Sequence, residues 1–277
     1  MMTETTVNAA FTGSIPENYD TYLGPLLFEF SGADMARQVS AALDGPAKVL
    51  EVACGTGIST RHLANALDPG SELIATDLNT AMLDHAARVN GDLPGVTYSQ
   101  ADALDLPFDD ASFAAAVCPF GIMFFPDKAQ SMREMTRVLK PGGVLFLNVW
   151  DGFAHNKAVG VVDGVIKQFF KTDPPHFLEA PFGSVTAEQG RQLFIEAGYT
   201  SIDITKIYDA SEMTDYSAPA RGFITGNPTL VEVEQRATIG IDELIAAAEI
   251  ALAEEFGPPP ATLSFQGTTF LARKSLG

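Results

Sequence analysis

Positive charge is scarce in this chain: 17 Lys and Arg stand against 35 Asp and Glu among 277 residues, a formal charge of −18. A balance of that sign repels phosphate backbones and anionic lipid headgroups, and no Lys/Arg-rich run offers a local exception. Nucleic acid and stable membrane insertion are therefore not expected. Cysteine is scarcer still. Cys54 and Cys118 form no CxxC and no ligand set, which leaves neither a disulfide framework nor a Cys-based metal site, and no metal is expected. Long apolar runs are missing as well, since the stretch from Phe113 to Phe125 is interrupted by Pro119 and Gly121. The opening MMTETTVNAAF has no basic segment followed by an apolar one. Together these absences predict a soluble, cytoplasmic protein.

What is present is an alternation. Short apolar runs at 47–52, 72–76, 96–100, 113–118 and 144–150 are separated by helix-like stretches at 58–67, 80–89 and 127–139. The runs lack in/out alternation, as expected of parallel strands covered on both faces. In the third helical stretch Met132, Met135 and Leu139 share one face, and Lys140-Pro141-Gly142-Gly143 reads as its stop. Beyond Trp150 the rhythm changes. Residues 152–185 are aromatic-rich and broken by prolines, a helix is predicted near 186–197, and 199–208 and 262–273 read as two more strands. A helix-spaced series from Ile241 to Phe256 lies between those strands. The economical architecture is one α/β domain with a doubly wound, mostly parallel sheet. Its core would span about 44–151, 186–208 and 262–277, with helical cap or lid additions at 1–43, 152–185 and 209–261.

The sharpest segment is Val49-Leu50-Glu51-Val52-Ala53-Cys54-Gly55-Thr56-Gly57, a strand entering a glycine turn and then a helix. Such a turn brings backbone amides and a helix N-terminus close to a ligand. A dinucleotide fingerprint would need a third glycine where Thr60 stands, and no Gly-Lys-Ser/Thr follows as a P-loop requires. Asp77 ends the second strand about 20 residues beyond the turn, where a carboxylate can accept both hydroxyls of an adenosine ribose. Asp102 follows the third strand, placed to meet an adenine edge. Blander roles are open to all of these: the glycines can merely turn the chain, Asp77 and Asp102 can cap helices, and Cys54 and Cys118 can be small packing residues.

Four segments in order resemble the class I S-adenosylmethionine-dependent methyltransferases: VLEVACGTG, IATDLNTAMLDHA, QADALDLPFDDASFAAAVC and FFPDKAQSMREMTRVLKPGGVLFLNVW. The likeness covers roughly residues 19–150 and is greatest to the small-molecule branch that includes ubiquinone- and menaquinone-biosynthesis enzymes. It implies a Rossmann-like seven-stranded sheet whose last, antiparallel strand would be 262–273. It also implies S-adenosyl-L-methionine as cofactor. Glu51 and the loop Ala53, Cys54, Gly55, Thr56 and Gly57 would hold its methionine part, and Asp77 its ribose. Leu78 and Met82 would flank the adenine, Asp102 and Ala103 would meet its edge, and Cys118 to Phe120 would form the floor beneath the sulfonium. Ala53 departs from the family, which usually has glycine there. Tyr19 and Tyr22, ahead of the first helix, are candidates for a lid over the cofactor.

The expected chemistry is in-line methyl transfer to a small, partly hydrophobic acceptor, driven mainly by proximity and exclusion of water. His155, just past the fifth strand, is the first candidate for a general base, with a surface or capping role as its alternative; His176 is the second. His62 and His85 fall on helices away from the mouth. Phe120, Met123, Phe124 and Phe125, the aromatics of 152–185, and Phe223 with Ile224 are candidates for an apolar acceptor wall. Two other functions compete: a nicotinamide-dependent oxidoreductase, and a non-catalytic relative that keeps the fold as an interaction module. The sequence carries no signal for an oligomeric state.

Overall fold

The computed structural model describes residues 11–236 and 238–276. Its centre is a seven-stranded sheet in the order β3-β2-β1-β4-β5-β7-β6. The strands are β1 (Lys48–Val52), β2 (Glu72–Asp77), β3 (Val96–Gln100), β4 (Phe113–Pro119), β5 (Leu139–Trp150), β6 (Ile202–Met213) and β7 (Ala261–Arg273). Strands β1 to β5 pair in parallel, and β7 runs antiparallel to both β5 and β6. This is the α/β, Rossmann-like arrangement the sequence predicts, with 262–273 supplying the reversed strand.

The missing in/out alternation has a direct cause. Along β4 and β5, Ala115, Val117, Val144 and Phe146 enter one hydrophobic core, while Ala116, Cys118, Leu145, Leu147 and Val149 enter another. Both faces of each central strand are therefore apolar. The first core is covered by Met35, Ala36 and Val39 of helix Glu29–Ala41 and Leu63 of helix Ile58–Ala66. The second is larger and takes in Met132, Met135 and Val138 of helix Lys128–Val138, together with helices Lys157–Phe169, Ser217–Thr225 and Ile241–Phe256. Local capping agrees with the helix starts. Asn79 accepts the Ala81 N–H, Asp127 accepts the Gln130 N–H, and Thr186 with Gln189 closes a capping box. Among the described residues no helix is long and apolar enough to cross a membrane.

Several expectations need correction. The segment Lys140-Pro141-Gly142-Gly143 belongs to β5 and does not simply stop a helix; the register slips between Phe113↔Leu139 and Ala115↔Val144, and the Pro-Gly-Gly sits in that slip. Strand β6 continues past Tyr208 to Met213 because β7 pairs with it along its whole length, down to Met213↔Ala261. Beyond it, 217–225 and 229–236 form helices the sequence pattern did not reveal. Tyr19 and Tyr22 do not precede the first helix. They lie in a π-helical stretch, Tyr19–Phe28, that joins Ile15–Asn18 to Glu29–Ala41. Strand β6 is an edge of the sheet, with Ile204 and Tyr208 exposed on it.

Candidate cofactor and acceptor site

Strand β1 delivers the chain to a tight turn at the carboxyl edge of the sheet. Ala53 and Gly55 both sit at φ 57°, and Gly57 at φ 81° opens helix Ile58–Ala66. The turn is pinned from β2: the Cys54 N–H donates to the Thr76 carbonyl at 2.9 Å, and the Gly55 N–H donates to Asp77 Oδ2 at 2.9 Å. The other oxygen, Asp77 Oδ1, accepts the Asn79 N–H at 2.8 Å. A Cβ built on Gly55 would meet nothing within 4 Å, whereas one on Gly57 would lie 2.4 Å from Asn90 Nδ2 and 3.0 Å from Ala86 Cβ. The Asn90 amide is itself bonded to the Gly57 carbonyl at 2.9 Å. Gly57→Ala therefore combines positive-φ strain with a clash and is expected to destabilise the fold by about 2–4 kcal/mol in denaturant titration. Gly55→Ala meets no neighbour and should cost about half of that or less.

Beneath the turn Glu51 is fully buried. Its Oε2 accepts the Thr60 hydroxyl at 2.6 Å, while Oε1 has no partner among the described residues. Burial pushes its carboxyl up to about 8, the Thr60 bond opposing and nearby Asp77 adding to the rise. Burial likewise lifts the Cys54 thiol well above its usual range and the Cys118 thiol to about 12, so neither is an activated nucleophile. Burial also raises the Asp77 carboxyl, against the backbone amides that hold its charged form.

In front of the turn lies a cavity of about 280 Å³ that follows the sheet order. At the β2/β3 end its walls are Gly55, Asp77, Leu78, Asn79, Met82, Asp102 and Ala103. At the β4/β5 end they are Phe120, Met123, Phe124, Trp150, Phe177, Phe182 and Phe223. Phe120 stacks on Trp150 with ring centroids 4.2 Å apart and 10° between planes, and Phe124 stacks on Phe177 at 5.7 Å. Phe120 holds this position at φ 59°, a conformation that is costly for a bulky side chain and typical of constrained sites. Tyr19, Leu23, Leu27 and Phe28 roof the cavity. The Tyr19 ring stacks on Phe28, and burial together with Asp77 and Asp20 raises its hydroxyl further, so it stays protonated.

Residues 50–147 match the family described as a methyltransferase domain. The demethylmenaquinone methyltransferase of Staphylococcus carnosus is 35% identical over 132 residues, covering 47% of this chain and 55% of that enzyme. This match thus spans little more than half of that relative's length. The demethylmenaquinone methyltransferase of Staphylococcus aureus (strain JH9) is 38% identical over 167 residues, 57% of this chain and 69% of the relative. The chain belongs to the S-adenosylmethionine-dependent methyltransferases. Likeness of fold extends further: phosphoethanolamine N-methyltransferase 2 of Haemonchus contortus, solved with S-adenosyl-L-methionine, superposes with a TM-score of 0.59. That alignment is 17% identical and covers 99% of this chain and 60% of that one.

In this methyltransferase the residues singled out from sequence fall into three groups. Ala53, Gly55, Asp77, Leu78, Met82, Asp102, Ala103 and Phe120 line one cavity. Glu51, Cys54, Thr56, Gly57 and Cys118 are not part of its wall, and Thr56 turns its hydroxyl to Asp20 at 3.3 Å. Tyr22 and His155 are elsewhere, and both readings need correcting. In the wide turns of the π-helix, 19, 23 and 27 share the roof face, which leaves Tyr22 against Gly222 of helix Ser217–Thr225. His155 is exposed in the turn before helix Lys157–Phe169, its backbone bonded to Gly152, and does not reach the cavity. The other histidines serve contacts outside it. His62 Nε2 meets Glu29 at 2.7 Å, buried His85 faces Asp20 at 3.6 Å, and His176 is largely exposed. Of the side chains proposed for the acceptor wall, Phe120, Met123, Phe124, Phe125, Phe177, Phe182 and Phe223 line the cavity, whereas Phe153, Phe169, Phe170 and Ile224 do not.

Trp150, Phe28, Asn79 and Asn227 are wall residues that sequence reasoning did not assign. The Leu23 and Leu27 spacing from Tyr19 carried a usable signal; Asn227 carried none. Glu232 also escaped notice. It lies outside the cavity, yet its Oε2 accepts the backbone N–H groups of His176 and Phe177 at 3.1 and 3.0 Å and so fixes the Phe177 wall.

Proposed function

We propose that this methyltransferase carries a methyl group from S-adenosyl-L-methionine to a small, largely apolar acceptor seated against Phe120 and Trp150, without a titratable protein base. One observation carries this reading. Among the described residues the only titratable groups on the cavity wall are Tyr19, Asp77 and Asp102, and both carboxylates stand at the β2/β3 end.

The residues present fit the cofactor. Asp77 is held by the backbone amides of Gly55, Asn79 and Leu78, and a carboxylate has acceptor capacity beyond these for a ribose diol. Leu78, Met82 and Ala103 offer an apolar sleeve for adenine, with Asp102 at its rim. The unpartnered Glu51 Oε1 is a buried oxygen behind the glycine turn, off the cavity wall itself. When bound, the cofactor supplies an electrophilic methyl on a sulfonium. The protein's part is to hold an acceptor lone pair roughly 3 Å from that carbon and in line with its bond to sulfur. The aromatic walls exclude water from the exchange and favour flat, apolar acceptors. The two staphylococcal relatives are named for demethylmenaquinone, an acceptor of that ring type. The described additions at 11–43, 152–185 and 214–260 act in this reading as the cap of one methyltransferase domain.

Trp150 is the chain's one tryptophan and part of the cavity wall, so its fluorescence reports occupancy directly. Titration with S-adenosylhomocysteine is expected to change that emission saturably, with one equivalent bound, and NAD(H) to leave it unchanged. Saturation by NAD(H) alone would favour the oxidoreductase instead.

A further inference from the structure

The acceptor half of the cavity is not wholly apolar. Asn227 lies in the turn between helices Ser217–Thr225 and Thr229–Arg236, is 4% exposed, and contributes to the cavity wall beside Phe182 and Phe223. Of the other polar wall residues, Asp77 ends β2, Asn79 follows it and Asp102 follows β3, and Tyr19 lies near Asp77. Among the described residues Asn227 is the only carboxamide or charged side chain at its end, where the other polar group is the Trp150 indole N–H.

Its amide orientation is fixed from both sides. Nδ2 donates to the Phe223 carbonyl at 2.9 Å, and Oδ1 accepts the Thr229 N–H at 2.9 Å. Reversing the amide would set donor against donor and acceptor against acceptor. A carboxamide has two N–H donors and two acceptor lone pairs. Two of those four valences are used, and among the described residues no partner takes the second Nδ2–H. A buried donor left unmatched is costly, and it rejects a ligand that cannot satisfy it.

We infer that Asn227 orients the acceptor: its free Nδ2–H donates to a carbonyl or hydroxyl oxygen on an otherwise apolar molecule, fixing which edge of that molecule faces the transferred methyl. This rests on the functional reading above and adds a specificity element to it. The oxygen is anchored by the turn at 227 while the ring lies against the Phe120–Trp150 stack.

The test uses two probes of nearly equal shape, acetophenone and ethylbenzene, which differ in one carbonyl oxygen. Their affinities for protein loaded with S-adenosylhomocysteine are read by ligand-observed NMR in wild type and in Asn227→Ser. The serine hydroxyl can still cap the Thr229 N–H but is too short to present a donor to the cavity. The acetophenone-to-ethylbenzene affinity ratio is expected to fall about tenfold in the variant, with S-adenosylhomocysteine affinity unchanged, in line with the loss of one hydrogen bond. An unchanged ratio, with both probes weakened alike, would make Asn227 a helix cap only and overturn the inference. Failure of wild type to bind either probe would overturn it as well. Failure to bind S-adenosylhomocysteine would be a different result, removing the reading beneath it. Should Asn227→Ser not fold, Asn227→Asp keeps the Oδ1 cap without the amide donor and is read by the same ratio.

Discussion

Asp77→Ala is expected to weaken S-adenosylhomocysteine binding about a hundredfold in calorimetry and to lower the melting temperature by a few degrees. Both effects come from one carboxylate doing two jobs. Its oxygens hold the Gly55 and Asn79 amides, so alanine leaves two backbone donors without acceptors and loosens the glycine turn. Its remaining lone pairs face the cavity, where hydrogen bonds from a ribose diol to a charged acceptor are worth roughly 1.5–3 kcal/mol each. Asp77→Asn separates the two. It can keep the Asn79 contact through its carbonyl oxygen but turns an amine toward the Gly55 N–H, so stability should suffer less than binding. Wild-type affinity in both variants would show that the diol is held elsewhere, and the cofactor half of the site would have to be redrawn.

Glu51→Gln should have the opposite sign for stability and a pronounced dependence on pH. Burial raises the folded carboxyl from 4.5 to about 8, so the folded chain binds a proton that the unfolded chain has released. In that window the unfolded state holds fewer protons, and stability falls by roughly 1.4 kcal/mol for each pH unit between 4.5 and about 8. Glutamine has nothing to titrate. Set against the roughly 1–3 kcal/mol of leaving its amine unpartnered at the position of Oε1, the variant should be more stable than wild type by about 2 kcal/mol at pH 9. Near pH 4.5 the advantage should vanish or reverse. Thermal melts of the ligand-free proteins at several pH values check this. The gain comes with a loss: above about pH 8, where Glu51 is charged, an amide cannot replace its negative charge toward a cationic ligand, so cofactor affinity should drop there as stability rises.

The sheet was legible in the sequence because its physics is local. Five apolar runs with helical stretches between them admit few other arrangements, and from the turn Ala53 to Gly57, with Asp77 beyond it, three residues meet on one cavity wall. The acceptor end was legible only in part: the loop after β4, the aromatics of 152–185 and Phe223 were candidates and supply wall residues, whereas Phe28, Trp150 and Asn227 went unassigned. It is assembled from the segment Tyr19–Phe28, the loop after β4, the end of β5, and the turns around 177–182 and 223–227, and no periodicity within one segment announces a meeting of five. His155 illustrates the same limit. Its place just after β5 put it at the right edge of the sheet, but the turn before helix Lys157–Phe169 aims it outward. Asn227 looks like one more polar residue between Gly226 and Pro228 until the fold sets it beside Phe182 and Phe223.

Strand β6 carries a consequence for handling the protein in solution. It forms a twelve-residue border whose outer backbone groups have no neighbouring strand among the described residues, and Asp203, Asp209 and Glu212 are spaced along it with Lys206. At neutral pH the surplus of negative charge keeps copies apart. Near the isoelectric point of 4.4 that repulsion disappears while the border stays open. Buffers near pH 4.4 should therefore precipitate this protein through lateral strand pairing, which light scattering across that pH range checks.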